Sequence, residues 1–136
     1  MSETSKTVGE RTEAIVLAEL LKAGYVVLLP FGDNQRYDMV VDDGGKFLRI
    51  QCKTARLISN GGVLYFKTCS TYAHRGRPTR GYRGEADLFG VYAPELGKVY
   101  LIPVDDVGES AASLRVTPAR NGQTNGVRLA EQYELK

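Results

Sequence analysis

Between Thr7 and Gly24 apolar residues return at helical spacing. Ala14, Leu17, Leu20 and Leu21, flanked by Ile15 and Ala18, give one broad apolar face. Thr7 and Glu10 have the spacing of a capping box and place the helix start there, and Gly24 stops it. The period then changes. "YVVLLP" reads as a short buried strand ending at Pro30, and "FGDNQR" as a loop of turn formers. "YDMVV" and "KFLRIQCKT" flank Asp43, Gly44 and Gly45 as a hairpin. "GVLYFKTCSTY" reads as a further strand, and "ADLFGVYAPELGKVYLIPV" as a second hairpin turning at Pro94–Gly97. "DDVGESAASL" opens on helix-capping acids, "LRV" returns as a short strand, and "GVRLAEQYEL" suits a final short helix. A helix, a run of strands and small helices suggest α+β or a mixed α/β sheet covered by helices.

Alternation along the first hairpin raises the chemical question. Leu48, Ile50 and Cys52 share one face of their strand, the core face, while Arg49, Gln51 and Lys53 share the other with Phe47. A four-residue loop, 43–46, pairs Asp42 with Phe47 and Val40 with Arg49, and so sets Asp38 beside Gln51. A loop one residue different would place Asp38 on the opposite face. The pattern equally suits a half-exposed hairpin with a wet outer face. Glu13 tips the balance toward a site. It precedes Val16, Leu17 and Leu20 by three, four and seven residues, so it lies on the apolar side of the helix. A carboxylate there is costly without a partner, although a rim position reaching water would also satisfy it.

Length and composition set bounds. The chain has 136 residues, 43% hydrophobic and 25% charged, which suits one domain over 1–136. No apolar stretch is long enough to span a bilayer, and the polar N-terminus lacks a secretory signal. Cys52 and Cys69 have no metal-type spacing, and a reduced, cytoplasmic protein is the simplest reading. The net charge of +2 decides nothing, but its distribution does. "HRGRPTRGYR" carries Arg75, Arg77, Arg80 and Arg83 and no acid. Such a run is often a solvated loop. Its unbroken sign and Gly punctuation favour phosphate contact, with Tyr72 and Tyr82 placed to pack on sugars or bases. Lys67 extends this patch, and Gln35 and Arg36 of "DNQR" suit contact with the same nucleic acid. Asn121 and Gln123 suit base reading, with turn formation the cheaper account.

A helix Glu, a strand-start Asp and a strand ending in X-x-Lys, here Glu13, Asp38 and Gln51-Cys52-Lys53, resemble the PD-(D/E)XK nuclease superfamily. "GERTEAIVLAELLKAGY", "LLPFGDNQRYDMVVDDGGKFLRIQCKT" and "YRGEADLFGVYAPELGKVYLIPV" are similar to its branch of endonucleases associated with group I introns, in which Gln replaces the usual acid of the motif. The resemblance implies an α/β (mixed α+β) restriction-endonuclease-like fold, a central mixed β-sheet flanked by helices. It implies a homing-type, Mg²⁺-dependent endonuclease hydrolysing phosphodiesters of double-stranded DNA, with Mn²⁺ able to substitute, acting as a homo-oligomer, dimer or tetramer. By that resemblance Asp38, Gln51 and the Cys52 main-chain carbonyl hold the metal, Glu13 acts through a water, and Lys53 orients or deprotonates the attacking water or stabilises the phosphorane. A junction-resolving nuclease shares the same plan and would cut four-way junctions only. A DNA-binding protein that has lost catalysis would bind without Mg²⁺-dependent cleavage.

Overall fold

The computed structural model describes residues 3–70, 79–117 and 128–136. Among the described residues one α-helix, α1 (Ser5–Lys22), precedes ten strands: β1 (Val26–Leu28), β2 (Met39–Asp43), β3 (Lys46–Thr54), β4 (Arg56–Ile58), β5 (Val63–Lys67), β6 (Cys69–Ser70), β7 (Arg80–Gly81), β8 (Leu88–Ala93), β9 (Lys98–Pro103) and β10 (Ala111–Arg115). Short 3₁₀ turns lie at Val104–Asp106 and Ala130–Tyr133. The helix starts one turn earlier than its sequence suggests. Thr4 is the cap, its hydroxyl accepting from the Thr7 N–H at 3.1 Å, so Thr7 is an interior first-turn residue and not the cap. The helix ends as expected at Gly24, whose φ of +94° lets its N–H reach the Leu21 carbonyl while Tyr25 N–H reaches that of Leu20.

The central sheet is mixed, in the order β1-β2-β3-β8-β9, with β3 and β8 parallel and the other neighbours antiparallel. Its two faces are covered differently. Val16 and Leu20 of α1 bury Met39, Val41, Ile50, Cys52 and Val99 on one side. The buried line of the helix is therefore Thr12–Val16–Leu20, and Ala14, Ala18 and Leu21, expected on that face, are exposed. Helix and sheet approach so closely that a Cβ on Gly90 would lie 2.9 Å from Val16 Cγ1 and 3.0 Å from Ile50 Cγ2. On the other side Phe89, Val91, Tyr100 and Ile102 pack against Leu64, Phe66, Ala112 and Leu114. Those residues belong to a second sheet, β10-β5-β4, so a sheet stands where sequence suggested further helices. The acids of "DDVGESAASL", expected to cap a helix, instead lie inside a 3₁₀ turn before β10 that no side chain caps, and the final segment likewise holds a 3₁₀ turn. β1 is an edge strand with Val26 and Leu28 exposed, not a buried one. Among the described residues no helix is long and apolar enough to cross a membrane.

Candidate active site

The hairpin register decides which side chains meet. Asp42 pairs with Phe47, Val40 with Arg49 and Met39 with Ile50. The loop is shorter than the four residues expected, because Asp43 and Lys46 also pair and Gly44-Gly45 alone make the turn, with φ of +65° and +88°. A loop of two and a loop of four give the same pairing of faces, so Asp38 still falls opposite Gln51. Its N–H donates to the Ile50 carbonyl (2.8 Å), and its Oδ2 accepts from the Cys52 N–H (2.8 Å).

α1 brings Glu13 to the same end of the sheet. Burial raises the Glu13 carboxyl above its ordinary range, and the charges of Asp38 and Glu10 add to this. Burial also raises Asp38, against the Cys52 N–H and the nearby Lys53 charge, which pull it down. Glu13 and Asp38 line a cavity of about 410 Å³ walled by Leu29, Pro30, Gly32, Asp33, Gln35 and Tyr37. Gln35, expected on DNA, lines this cavity, and Tyr37 joins it without a signal in the sequence.

β3 supplies the other two groups. Gln51 is half-buried, and its Nε2 donates to the Cys52 carbonyl at 3.3 Å. Lys53 is half-buried on the same side, since the pairing with β8 sets Gln51 beside Phe89 and Lys53 beside Val91. Lys53 Nζ donates to the Cys69 carbonyl (3.1 Å) and to the Tyr82 hydroxyl (3.3 Å). Burial lowers its pKa. The Cys52 thiol faces the helix, and burial drives its pKa far up, so it packs as a core group.

A hard dication suits this donor set. Two carboxylates raised by burial, an amide oxygen and a main-chain carbonyl are oxygen ligands of the kind Mg²⁺ takes, with water completing its shell. Among the described residues no three His, Cys, Asp or Glu side chains gather as a metal group.

The basic residues separate into several environments. Lys67 is exposed and lines a groove of about 690 Å³ together with Lys53 and Arg56. Gln35 is exposed on the cavity wall. Arg36, expected on DNA, turns inward. It donates to Ser70 Oγ (2.8 Å) and to the Gly81 carbonyl (2.7 Å), and lies 4.1 Å from the Tyr82 ring centre. Tyr82 is 5% exposed and meets Phe89 edge-on, so it cannot stack on sugars or bases as its flanking position suggested. Arg80 pairs with Glu85 at 2.7 Å, and Arg83 donates to the Val107 carbonyl at 3.0 Å. Tyr72, His74, Arg75, Arg77, Asn121 and Gln123 lie outside the described residues.

The chain belongs to the PD-(D/E)XK endonuclease family, whose model matches residues 3–136. It is thus an endonuclease of that fold, as its sequence resemblance implied. Among solved structures it is similar to a bacterial homing endonuclease, I-Ssp6803I, with a TM-score of 0.76 and 27% identity over 97% of this chain and 89% of that one. No curated protein sequence matches the chain.

Proposed function

We propose that this endonuclease is of homing type and hydrolyses phosphodiesters in double-stranded DNA with a divalent metal, Mg²⁺ or Mn²⁺, through Glu13, Asp38, Gln51 and Lys53. One observation carries the reading. Asp38 is a half-buried carboxylate on a cavity wall, satisfied by one backbone N–H and facing a second carboxylate whose pKa it helps raise. Such a pair is costly unless a cation or a substrate proton answers it.

Asp38, the Gln51 amide oxygen and the Cys52 carbonyl would hold Mg²⁺, with Glu13 reaching it through a water. When bound, the metal supplies charge neutralisation at the phosphate and a more acidic water. The chain's own groups do the rest. Asp38, fixed through the Cys52 N–H, sets where the phosphate must lie. Lys53 spends two of its three N–H bonds on Cys69 and Tyr82, which leaves one for the phosphoryl oxygen on which charge develops. Leu29, Pro30 and Tyr37 wall the cavity and limit water around the carboxylates. Gln35, Lys67, Arg75, Arg77, Arg80 and Arg83 are the proposed DNA contacts, and Arg36 serves the scaffold instead.

Cutting both strands with one small site per chain calls for two copies related by a twofold axis, hence a homo-oligomer, acting where genomic DNA lies inside the cell. The test is cleavage of duplex DNA carrying the flanks of the protein's own gene, against four-way junctions of unrelated sequence. Mg²⁺-dependent double-strand breaks in the duplex support the reading. Cutting confined to junctions, or binding without cutting, overturns it.

A further inference from the structure

The residues that seat Lys53 lie far from it in sequence. Tyr82 is 29 positions away and Cys69 is 16 away; Cys69 opens the small ribbon that β6 and β7 form, and Tyr82 directly follows β7. Among the described residues the ribbon pairs at two positions, Cys69 with Gly81 and Ser70 with Arg80. Arg36 adds side-chain bonds across it. Its guanidinium donates to Ser70 Oγ on one strand and to the Gly81 and Arg80 carbonyls on the other. It also covers one face of the Tyr82 ring, whose edge meets Phe89 in the core. Arg36 Nε is buried without a hydrogen-bond partner, although Glu85 Oε2 lies 3.4 Å away. Arg36 is thereby held by bonds to both strands of the ribbon and by its ion pair with Glu85.

We propose that Tyr82 is a positioning residue for Lys53: the β6–β7 ribbon and the residue that follows it, pinned by Arg36, offer the Cys69 carbonyl and the Tyr82 hydroxyl as a two-oxygen seat that fixes the Lys53 ammonium beside Asp38. The inference rests on the role of Lys53 proposed above and adds the device that aims it. A lysine side chain has four rotatable bonds and a strongly hydrated head. Two pinned acceptors remove most of that freedom and leave the third N–H directed by geometry. Tyr82 remains a neutral hydroxyl at working pH, because burial raises its pKa. It therefore accepts from the ammonium without neutralising it.

The test is Tyr82→Phe, which keeps the ring, its contact with Phe89 and its place under Arg36. The full-length variant is assayed for Mg²⁺-dependent cleavage, for DNA affinity and for thermal stability, beside Lys53→Ala. The expected result is a fall in kcat of about tenfold to a hundredfold, the scale of a misplaced catalytic group, with KM, DNA affinity and Tm unchanged. A wild-type kcat in Tyr82→Phe, with Lys53→Ala inactive, overturns the seat and leaves the proposed function standing. A rate loss accompanied by a raised KM or a lowered Tm makes Tyr82 structural only and also overturns it. Full activity in Lys53→Ala removes Lys53 from the reaction, and with it the premise.

Discussion

Two aspartates flank strand β3, and the structure treats them oppositely. Asp87, at the head of β8, is saturated. Its carboxylate accepts from the Arg49 N–H at 2.7 Å, from Arg49 Nε at 3.0 Å and from Arg49 Nη2 at 3.2 Å, and its own N–H returns a bond to the Arg49 carbonyl. Arg49 therefore lowers its pKa. Asp38, before β2 on the other side, has one N–H for its carboxylate, and burial raises its pKa. Both are Asp beside a strand that carries a cationic side chain. What separates them is how far each is engaged: a buried carboxylate in a cavity wall with a single backbone N–H marks a site, where one held by a whole guanidinium marks a joint.

Replacing each by Asn breaks the comparison most sharply. Asp38→Asn is expected to lower the cleavage rate by about 10³-fold or more, the scale of losing a group at the reacting centre. DNA binding should persist, because a negative charge facing phosphate is gone. The variant should also be more stable than wild type at neutral pH. A raised folded-state pKa means that ionising Asp38 costs folding free energy above its folded value, while below the unfolded value of roughly 4 the cost is absent. The Asn oxygen still accepts from Cys52 N–H. A gain in Tm at pH 7 that vanishes near pH 4, read by calorimetry, checks this.

Glu13→Gln should cost less, about tenfold in rate at limiting Mg²⁺, since an amide still holds water by hydrogen bonds. Steady-state rates against Mg²⁺ concentration measure it. Gln51→Glu sharpens the picture from the other side. A third acid near Asp38 should lower the Mg²⁺ midpoint about fivefold, the effect of one added charge at short range in a solvated site, and should lower stability in the absence of metal. Asp87→Asn should change the rate least and lose about 1 kcal/mol of stability, because the Arg49 pair is about one-third exposed. Its sign is opposite to that of Asp38: the loss is present above the unfolded pKa and fades as pH falls, since the folded value is depressed. Denaturant melts at pH 7 and pH 4 distinguish the two aspartates.

The hairpin explains how much the sequence could disclose. Period-two alternation fixes which side chains share a face, and Gly44-Gly45 marks the turn, so Asp38, Gln51 and Lys53 could be brought together from local pattern even with the loop length misjudged by two residues. Glu13 was legible as a charge on an apolar helical side. The axis of that face was not, because Thr12 looks polar yet is buried with its hydroxyl 2.6 Å from that of Thr54. Tyr82 and Arg36 were misread for a related reason. Their neighbours in sequence are basic and glycine-rich, whereas their partners, Lys53, Ser70 and Phe89, come from other strands. Asp87 drew no notice because its partner Arg49 is 38 residues away. Likewise nothing local marks the β10-β5-β4 sheet as the cover of the second face, since β10 joins β5 across the whole β8–β9 hairpin.

The difference between the two aspartates can be read directly from Mn²⁺ binding, followed by electron paramagnetic resonance on full-length wild type, Asp38→Asn and Asp87→Asn. Wild type and Asp87→Asn should take up the ion alike, and Asp38→Asn should lose that binding. Undiminished binding in Asp38→Asn, or its loss in a folded Asp87→Asn, would contradict the assignment of the metal to Asp38.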